Sequence, residues 1–172
     1  MKELFAVIDM QNDFLTGTLS NSDAVRIVPN VVRETKHALE RGATVIFTRD
    51  THGGDYLSTR EGRLLPVPHC ILGTVGHEII DELKPLAARA EIFDKPTFGS
   101  EELALFAKSE RFDKVTLVGV CTDICVISNA FAVKTALPEA DVVVLKDCCA
   151  GVTPTSHATA LDAMRAAQIF IE

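Results

Sequence analysis

The chain has no tryptophan, and its single tyrosine is Tyr56. Any aromatic wall for a ligand must therefore come from phenylalanine or from that one tyrosine. No apolar run is long enough to cross a bilayer, and the opening Met1-Lys2-Glu3-Leu4-Phe5 lacks the layout of a signal peptide. Both absences point to a soluble, cytoplasmic protein without a membrane partner. Basic clusters are missing too, and the formal net charge is −7, which argues against nucleic acid as a partner. The five cysteines are an odd number and do not suggest a disulfide framework. No internal repeat, low-complexity stretch or linker interrupts the chain. Its 172 residues read as one domain, 1–172, with enough apolar content, 47%, to build a core.

What is present alternates between strand-length apolar runs and helical patterns. Leu4 to Ile8, Ala43 to Thr48, Ala90 to Asp94, Val115 to Gly119, Ala140 to Leu145 and Gln168 to Ile171 read as six strands. Pro29 suits the first turn of a helix that Gly42 ends, and Ser100 suits the cap of another. A short helix is expected over 77–83. The segment from about Asp123 to Ala136 is apolar nearly all round, so it is expected in the core or in a subunit interface, and the protein is expected to form a dimer or tetramer. Continuous apolar strands separated by helices indicate a parallel sheet covered on both faces.

Chemistry-bearing residues gather at the predicted strand ends. Asp9, Asp50 with His52, Lys95 and the turn Cys121-Thr122-Asp123-Ile124-Cys125 each lie at or just past one. Open α/β sheets bind ligands at that edge. Cys125 opens a helix, where unpaired amides and the dipole favour a thiolate, and a thiolate attacks carbon. Such a nucleophile needs a base and a cation, and Asp9 and Lys95 are of those types. Taken singly, Cys125 reads equally as a small buried residue, and Asp9 and Lys95 as solvated strand ends. Asp50-x-His52 directs two ligand-type side chains to one side, and with His69 it supplies a donor set suited to Zn2+ or a similar divalent metal. Hydrogen-bonded loop histidines are the plainer reading. His37 and His77 look exposed, His157 looks like a capping or packing residue, and Cys148-Cys149 is expected as a reduced pair just after the fifth strand.

Asp9-Met10-Gln11-Asn12-Asp13-Phe14, Lys95 and Gly119-Val120-Cys121-Thr122-Asp123-Ile124-Cys125-Val126 together resemble the isochorismatase-like cysteine hydrolases, in order and over nearly the whole chain. The resemblance implies a doubly wound, six-stranded parallel sheet in the order 3-2-1-4-5-6, with helices on both faces. It implies catalytic residues Asp9, Lys95 and Cys125, a cis bond between Val120 and Cys121, and an oxyanion hole formed by the amides of Cys121 and Cys125. The nicotinamidase-like branch also implies a metal held by Asp50, His52 and His69, and no organic cofactor. The expected reaction is hydrolysis of a small amide through a thioester, with release of ammonia.

Departures from that branch bear on the substrate. Leu65-Pro66-Val67-Pro68 replaces the tryptophan-proline pair that usually precedes the His-Cys pair, here His69-Cys70. A wall for a pyridine ring would fall to Phe14, Tyr56 or Phe98. Competing readings of the same residues are a metal-free hydrolase of a small vinyl ether, a silent family member acting as an interaction protein, and a thiol redox sensor.

Overall fold

The computed structural model describes residues 1–172. Its elements run β1 (Glu3–Ile8), α1 (Asn12–Leu15), α2 (Ser22–Glu40), β2 (Thr44–Asp50), α3 (Arg60–Leu64), α4 (Lys84–Ala87), β3 (Glu91–Lys95), α5 (Glu101–Glu110) and β4 (Lys114–Val120). A π-helical turn, Thr122–Val126, leads into α6 (Ile127–Ala136), followed by β5 (Asp141–Ala150), α7 (Pro154–Ala166) and β6 (Phe170–Ile171). The strands pair in the order β3-β2-β1-β4-β5-β6, and every pairing is parallel. The order expected from the resemblance is therefore observed. No helix is long and apolar enough to cross a membrane.

Successive residues of a strand face opposite sides of the sheet. In β1, Phe5 and Val7 enter one core with Ala24, Ile27 and Val31 of α2. Leu4, Ala6 and Ile8 enter a second core with Leu103 of α5, Ala130 of α6 and Met164 of α7. Because both faces are covered, β1 carries no polar alternation, which is why it reads as a continuous apolar run. The switch in winding falls between β1 and β4, and the crevice beyond their carboxyl ends is where such sheets bind ligands.

Several boundaries differ from the sequence reading. Helix α2 starts at Ser22, with Pro29 inside it, because Asn21 caps the helix by accepting from the amides of Asp23 and Ala24. The expected helix over 77–83 is instead a 3₁₀ turn at Val75–His77 and a later, single-turn α4, whose start is set by Pro85. Strand β5 runs on through Cys148 and Cys149. Its register against β4 jumps from Leu117↔Val144 to Gly119↔Cys149, so the extra residues of β5 bulge out before pairing resumes. Cys148 then packs in the first core and Cys149 in the second, and all five cysteines are free thiols.

Candidate active site

Four chain segments meet at the carboxyl edge of the sheet. Asp9 directly follows β1 in a left-handed conformation, φ 49°, which turns its side chain out of the strand's alternation. Its amide still joins β2 through the Thr48 carbonyl at 3.2 Å. Lys95 ends β3 and is 1% exposed. Its ammonium lies 2.7 Å from Asp9 Oδ2, 3.4 Å from Asp50 Oδ1 and 3.6 Å from Cys125 Sγ, and donates to the Thr97 carbonyl at 2.9 Å. The Thr48 hydroxyl donates to the other Asp9 oxygen at 2.7 Å. One buried cation thus joins the thiol to two carboxylates.

The turn that carries Cys121 and Cys125 is shaped by its own backbone. The Val120–Cys121 peptide is cis, as the resemblance implied. Gly119, at φ 117°, passes so close to β1 that a side chain there would collide with the Ile8 carbonyl. The Cys121 carbonyl accepts from both Ile124 and Val126, and the wider π spacing separates Cys121 from Cys125. The Cys121 amide donates no hydrogen bond within the protein. Cys121 packs against the first core and Cys125 lies in the second. Its π turn is pinned from α7, where His157 Nδ1 lies 2.8 Å from the Thr122 hydroxyl, and by the Val152 amide, which donates to Asp123 at 3.0 Å. His157 is thus a packing partner of the turn, in line with the sequence reading.

Burial governs the ionisation of these groups. It pushes the Cys125 thiol well above its usual value, and the Asp9 charge adds to that against the pull of Lys95. The resting sulfur is therefore a neutral thiol, not the thiolate expected from a helix start. Burial likewise raises the Asp9 carboxyl despite the opposing Lys95 charge. Burial alone would lower the Lys95 ammonium, but the negative charges of Asp9 and Asp50 outweigh it and hold its proton more tightly than usual. Cys121 is pushed up to about 12, by burial first and by Asp123 next.

A second cluster lies against the first through Asp50. The Asp50 backbone is clamped by Gln11, whose side chain accepts from its amide at 2.7 Å and donates to its carbonyl at 2.8 Å. Asp50 Oδ2 is 3.0 Å from His52 Nε2 and 3.3 Å from His69 Nε2, and Glu61 Oε1 is 3.7 Å from both rings. Ligand atoms of Asp50, His52, Glu61 and His69 all lie within 4.8 Å of one another. His69 Nδ1 donates to the Val67 carbonyl at 2.8 Å, which turns Nε2 toward the cluster. Two carboxylates and two imidazole nitrogens converging from a mostly buried shell fit a dication. Burial opposes charge on Asp50, yet bonds to His52 and His69 and the Lys95 charge hold it well below the usual carboxylate range. Glu61 is raised by burial and by Asp50.

Glu61 was not foreseen. In the first turn of α3 it reads as a dipole-complementing surface acid, and only the fold of the 53–76 loop turns it inward. His77, expected at the surface, is 3% exposed, because its ring meets the Thr51 hydroxyl at 2.9 Å. Of the three aromatic candidates, Tyr56 is buried edge-on against both metal-type histidines, with its hydroxyl donating to the Leu65 carbonyl. Phe14 is buried 5.8 Å from the His69 ring, centre to centre, and Phe98, 44% exposed, lies on the segment after Lys95.

A family model, the isochorismatase domain, matches residues 3–172. The chain belongs to the isochorismatase family. Two curated relatives span its length. One is 31% identical over 95% of this chain and 94% of its own, and is named nicotinamidase/pyrazinamidase of Mycobacterium tuberculosis. The other is 34% identical over 88% of this chain and 82% of its own, and is named probable inactive nicotinamidase of Arabidopsis thaliana. Among solved structures, the pyrazinamidase of Pyrococcus horikoshii in complex with zinc superposes with a TM-score of 0.84, at 28% identity, over 100% of this chain and 99% of that one. Within this family fold, the residues brought together at the carboxyl edge are Asp9, Lys95, Cys125 and the Asp50 cluster.

Proposed function

We propose that the protein is a cysteine amidase that hydrolyses the C–N bond of a small amide, nicotinamide being the first candidate, through a thioester. The observation that carries this reading is the Lys95 ammonium, set between Asp9 at 2.7 Å and the Cys125 sulfur at 3.6 Å. A neutral thiol beside a carboxylate of raised pKa is the starting state such a reaction needs. Asp9 takes the thiol proton as Cys125 attacks the carbonyl carbon, and Lys95 balances the charge that passes between them. The amides of Cys121 and Cys125 stabilise the oxyanion. Protonated Asp9 then gives its proton to the departing nitrogen, ammonia leaves, and the acyl group stays on sulfur. Asp9 next takes a proton from water, which attacks the thioester; the C–S bond breaks, the acid leaves, and the proton on Asp9 returns to the freed Cys125 sulfur.

Asp50, His52, Glu61 and His69 would hold a divalent metal, Zn2+ among the candidates. When bound, such an ion supplies a Lewis-acid anchor for a ring nitrogen or carbonyl of the substrate. The chain's own part is to aim these four ligands, through the Gln11 clamp on Asp50 and the Val67 bond to His69. His52→Ala is expected to weaken metal binding at least about 10-fold, read as metal content after dialysis. Full activity of metal-stripped wild type would contradict the assignment.

An ammonia-release screen over small amides, nicotinamide first, tests the function directly. Turnover of an amide supports the reading, and no release from any amide with metal supplied overturns it. A silent binding role is disfavoured by the intact Lys95–Asp9 ion pair and the Lys95–Cys125 contact, and a vinyl-ether hydrolase would leave the thiol without a task.

The pH profile follows from the same groups. Ionised Asp9 is the active form, and burial raises its pKa, so activity falls as pH drops through a value above the ordinary carboxylate value of about 3.9. Lys95 is held charged beyond its usual range, so it causes no loss on the alkaline side. kcat/KM is expected to show one acid limb and a plateau to about pH 9. A decline between about pH 7 and 9 would contradict the assigned roles.

A further inference from the structure

We infer that Asn129 is a positioning residue, which holds the nucleophile turn in register with the segment that follows Lys95. The inference rests on Cys125 and Lys95 acting as proposed above. Asn129 is fully buried on the first turn of α6. Its Nδ2 donates to the Cys125 carbonyl at 2.8 Å and to the Phe98 carbonyl at 3.3 Å, and its Oδ1 accepts from the Ser100 amide at 2.9 Å. Other polar side chains of α6 do less. Ser128 and Thr135 each donate only to the carbonyl four residues back, of Ile124 and Phe131. Asn129 makes that bond and also reaches across to a segment about thirty residues away in sequence.

The segment it reaches is tied to the reaction. Ser100 caps α5 by accepting from the Leu103 amide at 3.1 Å, so one end of the 96–100 stretch is anchored. Within the stretch, the Thr97 carbonyl takes a hydrogen bond from Lys95 Nζ at 2.9 Å, and that nitrogen lies 3.6 Å from Cys125 Sγ. The contacts close a ring: Cys125 backbone, Asn129, Phe98 and Ser100 backbone, Thr97, Lys95, Cys125 sulfur. Asn129 touches neither the sulfur nor the ammonium. It fixes the distance between them from the far side of the ring, and displacements of about 1 Å at such a site can cost about 100-fold in rate.

Asn129→Ala would strip the Phe98 carbonyl and the Ser100 amide of their partner in the core and can unfold the protein. Asn129→Thr separates the roles. A threonine here can donate to the carbonyl four residues back, as Thr135 and Thr159 do, so the helix bond survives while the bridge to Phe98 and Ser100 is lost. For this variant kcat is expected to fall at least about 10-fold with KM within about threefold of wild type. A second measurement needs no substrate. The Cys125 alkylation rate with anionic iodoacetate, divided by that with neutral iodoacetamide, reports the cation at the thiol, because access to the sulfur largely cancels. That ratio is expected to fall at least about threefold. A kcat within about twofold of wild type together with an unchanged ratio would overturn the inference. So would a loss of kcat no greater than the loss of folded protein in a thermal melt. If wild type hydrolyses no amide, the amidase reading fails, and the alkylation ratio alone then decides the role of Asn129.

Discussion

Cys125→Ala is expected to lower amide hydrolysis by at least about 10⁴-fold, since an enzyme that loses its nucleophile keeps only what binding and the oxyanion hole supply. No other thiol can take over. Cys121 packs against the opposite core, and burial pushes its pKa up to about 12. The fold should hardly notice. Cys125 is 5% exposed in the second core, and trading a small thiol for a methyl there costs about 1 kcal/mol, or about 2–4 °C in melting temperature for a chain of this size. Steady-state ammonia release and a thermal melt check both halves. A variant that keeps even about one per cent of wild-type kcat would exclude the sulfur as the attacking atom.

Lys95→Met is expected to damage both fold and activity. The ammonium is the one cation within reach of Asp9, and it also faces Asp50. Removing one partner of a buried ion pair leaves an uncompensated charge and costs about 3–5 kcal/mol. Asp9 escapes that cost by taking a proton, which gives the loss a pH signature. The folded-state pKa of Asp9 already lies above its unfolded value because of burial, and loss of Lys95 raises it further. The folded state then binds more protons than the unfolded one, so stability falls as pH rises through the window above about 3.9. The variant should regain stability on going from neutral pH to about pH 5, where wild type changes less. Activity should fall at least about 100-fold at neutral pH, because protonated Asp9 cannot accept the thiol proton. Urea titrations at both pH values measure the first effect, and equal stability at both would contradict it.

These effects trace to residues that the sequence exposed unevenly. Continuous apolar runs marked the strands of a sheet buried on both faces, and Asp9, Asp50 and Lys95 stood out because each breaks or ends such a run. Pro29 misled because the Asn21 cap, made by two side-chain bonds, outweighs one proline within the helix. Glu61 and His77 were hidden because only the path of the 53–76 loop turns them inward. Asn129 carries no local signal at all, since an asparagine in a helix reads as exposed until its partners at Phe98 and Ser100 are known. The helix start suggested a thiolate at Cys125. Burial reverses that by raising the thiol, and it raises the neighbouring Asp9 as well. The proposed mechanism accordingly has the proton pass between them at the moment of attack, with Lys95 balancing the charge.

The most direct test of this chemistry is a rapid acid quench during turnover of nicotinamide, followed by mass analysis of the peptide carrying Cys125. The expected result is a mass increase equal to the acyl group of the amide, located on Cys125 and absent from Cys125→Ala and from the peptide carrying Cys70. Turnover at full rate with an acyl group on no cysteine, and with Cys125→Ala as active as wild type, would contradict covalent attack by this sulfur.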